Sequence, residues 1–280
     1  MARQRLDILL VEKGLCDSRQ LAQRWIRAGA VRVNRERVEQ PSKIVDAGAD
    51  ITITERSPFV SRGGEKLAHA LDIFGIQVSD RICLDGGIST GGFTDCLLQA
   101  GAKLVYGIDV GYGQVAWRLR NDPRLILRER TNLRYLQPEQ LYSPEVLAQD
   151  LRPTLGVVDV SFISLVKILP ALGQLLTIPR ELVLLVKPQF EVGREQVGKK
   201  GLVRDPKAHA TAINQVWQAA ESLDWHYQGL VSSPIRGEKS GNVEYLLWLS
   251  QTSAGRVSST EVAALTEAIA RSAHTPSHPG

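Results

Sequence analysis

The stretch Leu84–Asp95, LDGGISTGGFTD, carries the reading of the fold. An apolar run, RICLD at 81–85, ends in the acidic Asp85. Gly86, Gly87, Gly91 and Gly92 follow with Ser89 and Thr90 among them, and a helix is expected to open near Gly92. Glycines at this point let backbone N–H groups approach a ligand closely at the mouth of a sheet. Outward from the loop, strand and helix patterns alternate. Strands are expected at 81–85, 104–109, 125–128, 156–160, 182–186, 225–231 and 244–250, with helical periodicity in 92–100, 163–176 and 207–223. Several strands are continuously apolar, as in a sheet covered on both faces. The fold class is therefore α/β, a doubly wound sheet of about seven strands.

Upstream the pattern differs. Asp17–Ser18 reads as an N-cap and Gly29 as a stop for a helix over 19–28, with Leu21, Ala22, Trp25 and Ile26 on one face. Alternation at 31–34 and 51–54 predicts two short strands. These elements make a small α+β module over residues 1–60, with a linker at about 55–62 punctuated by Pro58. The α/β domain is expected over 61–250. Residues 251–280 lose the pattern, save for one helix at Val257–Ala273 and a frayed ending.

Charge is uneven along the chain. Residues 1–60 hold eleven Lys/Arg against eight Asp/Glu, whereas the remaining 220 hold twenty-three against twenty-two. Within the module, Arg19, Arg24, Arg27, Arg32, Arg35 and Arg37 face only Glu36 between them. Arginine forks onto phosphate and stacks on bases, so this face is suited to a polyanionic partner of that kind. Cys16, Cys83 and Cys96 are odd in number and far apart, which argues against a disulfide framework or a CxxC zinc site. No apolar run approaches the roughly 18 residues of a membrane span, and Glu12 interrupts the only N-terminal run resembling a signal peptide. A cytoplasmic location is expected, with no membrane partner.

Three ligand classes compete for the glycine loop. A nicotinamide fingerprint needs GxGxxG, which no window here supplies. A phosphate loop needs GxxxxGK followed by Ser or Thr; Gly193–Lys199 matches the first part, but Lys200 replaces the hydroxyl. S-adenosylmethionine fits better, because its cationic sulfonium and ammonium groups suit Asp85 where a pyrophosphate would be repelled. Asp109, ending the second strand 24 residues on, is suited to ribose hydroxyls. The candidate cofactor residues are Asp85, Gly86, Gly87, Ser89, Thr90, Gly91 and Asp109.

Four further polar residues stand at informative positions. Asp159 interrupts the apolar fourth strand, and Lys187 follows the most apolar strand ahead of Pro188. Both fall at carboxyl ends of strands, where open α/β sheets bind ligands. Glu244 begins the last strand. Lys66 lies in the first turn of a helix starting near Gly63, where a cation opposes the helix dipole.

Residues 2–250 resemble the TlyA family of ribosomal-RNA ribose methyltransferases, sometimes labelled haemolysins. The resemblance is carried by RLDILLVEKGLCDSR, VSRGGEKL, LDGGISTGGFTD, GIDVGYGQ, ERTNLR, VVDVSFISL, VKPQFEVGR, GLVRDP and GNVEYLLWL. It implies an S-four-type RNA-binding domain joined to a Rossmann-like class I methyltransferase domain related to FtsJ, with ribosomal RNA or ribosomal subunits as partners. It also implies a Lys–Asp–Lys–Glu tetrad for ribose 2′-hydroxyl methylation, matched here by Lys66, Asp159, Lys187 and Glu244. A ribose hydroxyl is a poor nucleophile and needs a proton acceptor or a cation beside the developing alkoxide, and a lysine can be either. That chemistry needs no metal, and the five histidines are scattered. The alternatives are a non-catalytic ribosome-assembly factor and a membrane-active haemolysin.

Overall fold

The computed structural model describes residues 3–16, 19–27, 29–53, 57–237, 241–252 and 257–274; of Leu21 and Arg24 only the backbone is described. The expected cap Asp17–Ser18, the end of the 51–54 strand and the ending after residue 274 therefore lie outside the described residues.

In the N-terminal part, β1 (Arg3–Arg5) leads into α1 (Leu6–Glu12) and α2 (Arg19–Arg27), followed by β2 (Val31–Val33), β3 (Glu36–Val38), β4 (Ile44–Asp46) and β5 (Ile51–Ile53). The strands form a three-stranded sheet in the order β3-β2-β5 and a β1-β4 pair, all antiparallel. Two of these strands, β3 and β4, lie between the two expected at 31–34 and 51–54. Their three residues each are too short to show a period. Asn34 and Arg35, at φ 50° and 70°, make the two-residue turn that closes the β2-β3 hairpin. Leu6, Leu9, Leu10, Ala22, Ile26, Val31 and Val38 fill a small separate core.

The second part begins with α3 (Gly63–Phe74) and continues through β6 (Ile82–Gly86), α4 (Gly92–Gln99), β7 (Leu104–Ile108), α5 (Trp117–Arg120) and β8 (Leu125–Arg128). The short helices α6 (Pro138–Leu141) and α7 (Pro144–Ala148) precede β9 (Leu155–Val158), α8 (Leu169–Leu175), β10 (Glu181–Val186) and α9 (Pro188–Glu191). The last elements are α10 (Pro206–Glu221), β11 (His226–Ser232), β12 (Tyr245–Ser250) and α11 (Ser259–Ser272). The sheet runs β11-β12-β10-β9-β6-β7-β8, and β12 alone runs opposite to the other six strands. Chain order reverses between β6 and β9, so the edge outside their carboxyl ends is the switch point where such sheets bind ligands.

Apolar residues alternate between the two faces of each strand. Leu182, Leu184 and Val186 join one core with Trp217, Trp225 and Tyr245; Val183 and Leu185 join the other with Leu67, Phe93 and Leu97. That is why these strands read as unbroken apolar runs. The expected helix at 163–176 is instead a 3₁₀ turn (Leu165–Lys167) followed by α8. Pro170 accounts for the shorter helix, since proline is tolerated only in a first turn. Residues 57–62 are less linker-like than their composition suggests. Phe59 is 4% exposed and packs into the domain core, where Gly64 makes room: a Cβ there would lie 2.2 Å from the Phe59 ring. The helix expected at Val257–Ala273 is α11, and its Val262 is buried in the core beside α10.

Candidate active site

Both loops at the switch point are packed backbone to backbone. Gly87, at φ +88°, leaves space that a Cβ would close, 2.4 Å from the Asp159 carbonyl oxygen. Gly91, at φ +98°, precedes α4, where a Cβ would strike Leu119 at 2.3 Å. The Asp159 N–H donates to the Gly86 carbonyl, which fixes the loop after β9 beside the glycine loop.

Asp85 is fully buried at the end of β6. Its Oδ2 accepts from Thr94 Oγ1 at 2.7 Å, while its Oδ1 is buried with no hydrogen-bond partner among the described residues. Burial pushes its carboxyl up to about 7; the Thr94 hydroxyl works against this, and the charges of Asp159 and Asp109 add to it. An unpartnered acidic oxygen here suits a cationic ligand group. Asp109 lies just past β7 and is half-buried, and its two oxygens accept from the backbone N–H groups of Ser89 at 2.7 Å and Gly111 at 2.6 Å. It therefore ties the glycine loop to its own loop, a role not readable from its strand-end position. Each carboxylate oxygen retains a further acceptor site.

A cleft of about 730 Å³ opens beside this loop. Gly87, Ser89, Thr90 and Gly92 line it, and so do Lys66, Asp159, Lys187 and Glu244. The four polar residues arrive from four elements: Lys66 from the first turn of α3, Asp159 one residue past β9, Lys187 between β10 and α9, and Glu244 one residue before β12. Asp159 thus follows its strand rather than interrupting it. The antiparallel course of β12 explains Glu244. Val186 pairs with Tyr245, so the residue after the one and the residue before the other meet at the same edge.

Within the cleft the charges form two ion pairs. Lys66 Nζ is 2.5 Å from Glu244 Oε2, and Lys187 Nζ is 2.5 Å from Asp159 Oδ1. The lysines are nearly buried, at 9% and 8% exposure. Sequence reasoning missed Ser161, whose Oγ accepts from Lys187 Nζ at 3.0 Å. Its only signal was its place two residues after Asp159. Among the described residues no group of His, Cys, Asp or Glu side chains comes together to hold a metal ion, and no helix is long and apolar enough to cross a membrane. Cys83 and Cys96 are buried within the domain core, and Cys16 within the N-terminal module.

The six arginines of the N-terminal module are not equivalent. Arg19 donates to the buried Asp7 at 3.0 Å, beside Arg5 and Gln23. Arg37 pairs with Glu39 at 2.8 Å and lies over Gly29. Arg27, Arg32 and Arg35 are exposed, with Arg32 donating to the Arg35 carbonyl. The side chain of Arg24 lies outside the described residues.

The sheet order and the cleft define a methyltransferase-type α/β domain. Residues 59–251 match the FtsJ-like methyltransferase family and residues 4–51 the S4 domain. The chain is 47% identical over 249 residues to the 16S/23S rRNA (cytidine-2′-O)-methyltransferase TlyA of Mycobacterium tuberculosis, covering 88% of this chain and 90% of the relative. It is 40% identical to hemolysin A of Brachyspira hyodysenteriae, covering 86% and 98%. A solved structure from Streptococcus thermophilus superposes with a TM-score of 0.71 at 40% identity, covering 98% of this chain and 96% of that one. The chain belongs to the TlyA family of FtsJ-like methyltransferases.

Proposed function

We propose that this protein transfers a methyl group from S-adenosylmethionine to a ribose 2′-hydroxyl of ribosomal RNA. The observation that carries this reading is the cleft itself, in which two nearly buried lysines, each paired with a carboxylate, share one cavity with a glycine loop. The residues that would hold the cofactor are Asp85, Gly86, Gly87, Ser89, Thr90, Gly91 and Asp109, and the group supplies an electrophilic methyl when bound. The buried Asp85 Oδ1 and the close-packed glycines fit a cationic ligand laid against the backbone.

The chain's own residues do the rest. Lys187 and Lys66 bring positive charge, or once neutral a proton acceptor, to a nucleophile that forms an alkoxide. Asp159 and Glu244 each hold one lysine, and near-burial strengthens both interactions. The exposed arginines of the N-terminal module supply phosphate contacts for a structured RNA. The protein acts in the compartment of its RNA, the cytoplasm.

The test is to map ribose methylation in ribosomal RNA from cells with and without this protein, and to follow label transfer from the cofactor to isolated subunits. Loss of one defined 2′-O-methyl group supports the reading. Unchanged methylation together with altered subunit assembly would favour a non-catalytic assembly role. A vesicle-leakage assay tests the haemolysin reading that a relative's name raises.

A further inference from the structure

Ser161 lines the cleft but lies outside the tetrad. Lys187 Nζ stands between Asp159 Oδ1, at 2.5 Å, and Ser161 Oγ, at 3.0 Å. The Ser161 contact has hydrogen-bond geometry, whereas Asp159 Oδ1 meets the ammonium by charge alone and has no hydrogen-bond partner among the described residues. A charge contact leaves the long lysine side chain free to rotate, and the directed bond to Ser161 removes this freedom.

The loop that supplies both contacts is itself held at its far end. Phe162 adopts φ +66°, and beyond it Ser164 Oγ and Leu165 N both donate to Glu191, at 2.6 and 2.9 Å. Glu191 belongs to α9, which begins immediately after Lys187. The loop after β9 and the segment after β10 are thus tied at two points, Lys187 with Asp159 and Ser161, and Glu191 with Ser164 and Leu165. Burial pushes the Glu191 carboxyl above its ordinary range, and the two donors oppose that shift.

We propose that Ser161 is a positioning residue that aims the Lys187 amine into the cleft, an inference resting on the functional reading above. The test compares Ser161→Ala and Ser161→Thr with the wild type, following methyl transfer and the side-chain amine signals of ¹⁵N-lysine-labelled protein. Lys187→Arg identifies the Lys187 signal by its disappearance. Ser161→Ala should lower kcat by roughly 10- to 100-fold, the range for a misplaced reacting group, with KM for RNA and cofactor affinity unchanged. It should also shift or broaden the Lys187 amine signal, and Ser161→Thr, which keeps the hydroxyl, should restore both. Wild-type kcat in Ser161→Ala, or a rise in KM alone, overturns the proposal. So does an unaltered amine signal, and this readout decides the matter even if the wild type shows no methyl transfer and the functional reading fails.

Discussion

The N-terminal module and the cleft both pair cations with carboxylates, but in opposite ways. In the module the carboxylate is buried and the cations are not: Asp7 is fully buried, while the side chains of its partners Arg5 and Arg19 are 38% and 54% exposed. In the cleft the cations themselves are nearly buried, Lys66 against the buried Glu244 and Lys187 against the partly exposed Asp159. A guanidinium left in water keeps its charge, whereas an ammonium drawn out of water is held at one place. On the functional reading proposed above, depth of burial, more than charge, separates a binding face from a reacting one.

The largest effect should come from the cleft. Lys187→Ala is expected to lower methyl transfer by at least about a thousandfold, within the range for losing a proton-transfer group, while cofactor affinity measured by calorimetry stays unchanged. Lys187→Arg divides the two roles. Strong residual turnover would mean that fixed charge suffices, and a dead variant beside a wild-type rate that rises with pH before levelling off would support a titrating lysine.

Next comes the module. Replacing Arg27, Arg32 and Arg35 together by Ala should weaken binding to ribosomal RNA by on the order of 10- to 100-fold. The log–log salt slope should drop by about 0.7–0.9 for each RNA phosphate that an arginine no longer neutralises. Equal slopes in variant and wild type would make these arginines merely solvated and break the contrast between the two regions.

A smaller loss is expected at Asp7. Hydrogen bonds from Arg5 foremost, then Gln23 and Arg19, hold its carboxyl well below the ordinary range. Its contribution to stability is therefore present above about pH 4, the unfolded value, and is lost as pH falls through the folded one. Asp7→Ala should destabilise the module by about 1.5–3 kcal/mol, the worth of a hydrogen bond to a charged group. Thermal unfolding at pH 7 checks this, and the gap between variant and wild type should narrow in acid.

Asp85 should give the smallest change and the opposite sign. Its folded pKa is raised to about 7, so the stability it lends the free protein is present at low pH and falls as pH rises from about 4 to 7. A cationic cofactor needs the ionised form, so its affinity should climb with pH, by up to about tenfold per unit, and level off above 7. Asp85→Asn should flatten that profile, as calorimetry across pH 5.5–8 would show (a range chosen to bracket roughly the value at which Asp85 titrates). A profile unchanged by Asp85→Asn would place the cationic group elsewhere.

Much of this is legible in the chain itself. LDGGISTGGFTD announces a strand, a close-packed turn and a helix start, because glycine at those positions answers a purely local steric demand. Apolar runs such as LVLLV at 182–186 announce a sheet covered on both faces, and positions just past such strands, Asp159 and Lys187 among them, inherit a place at its ligand edge. Period and punctuation are properties of neighbours along the chain, so the chain displays them directly.

Other assignments wait on the sheet order. Nothing near Lys66 indicates that its carboxylate lies 178 residues away, and only the antiparallel insertion of β12 brings Glu244 to it. Ser161 gains meaning only once β9 and β10 are neighbours. Asp109 reads as a ligand contact alone until the Ser89 and Gly111 N–H groups are seen to use one acceptor site on each oxygen, and Arg19 looks like a phosphate contact until Asp7 is found beneath it. Phe59 reads as linker until Gly64 offers it a space in the core. In each case the partner is set by packing between elements distant in sequence, and a side chain's exposure and remaining valences depend on that packing rather than on its neighbours in the chain.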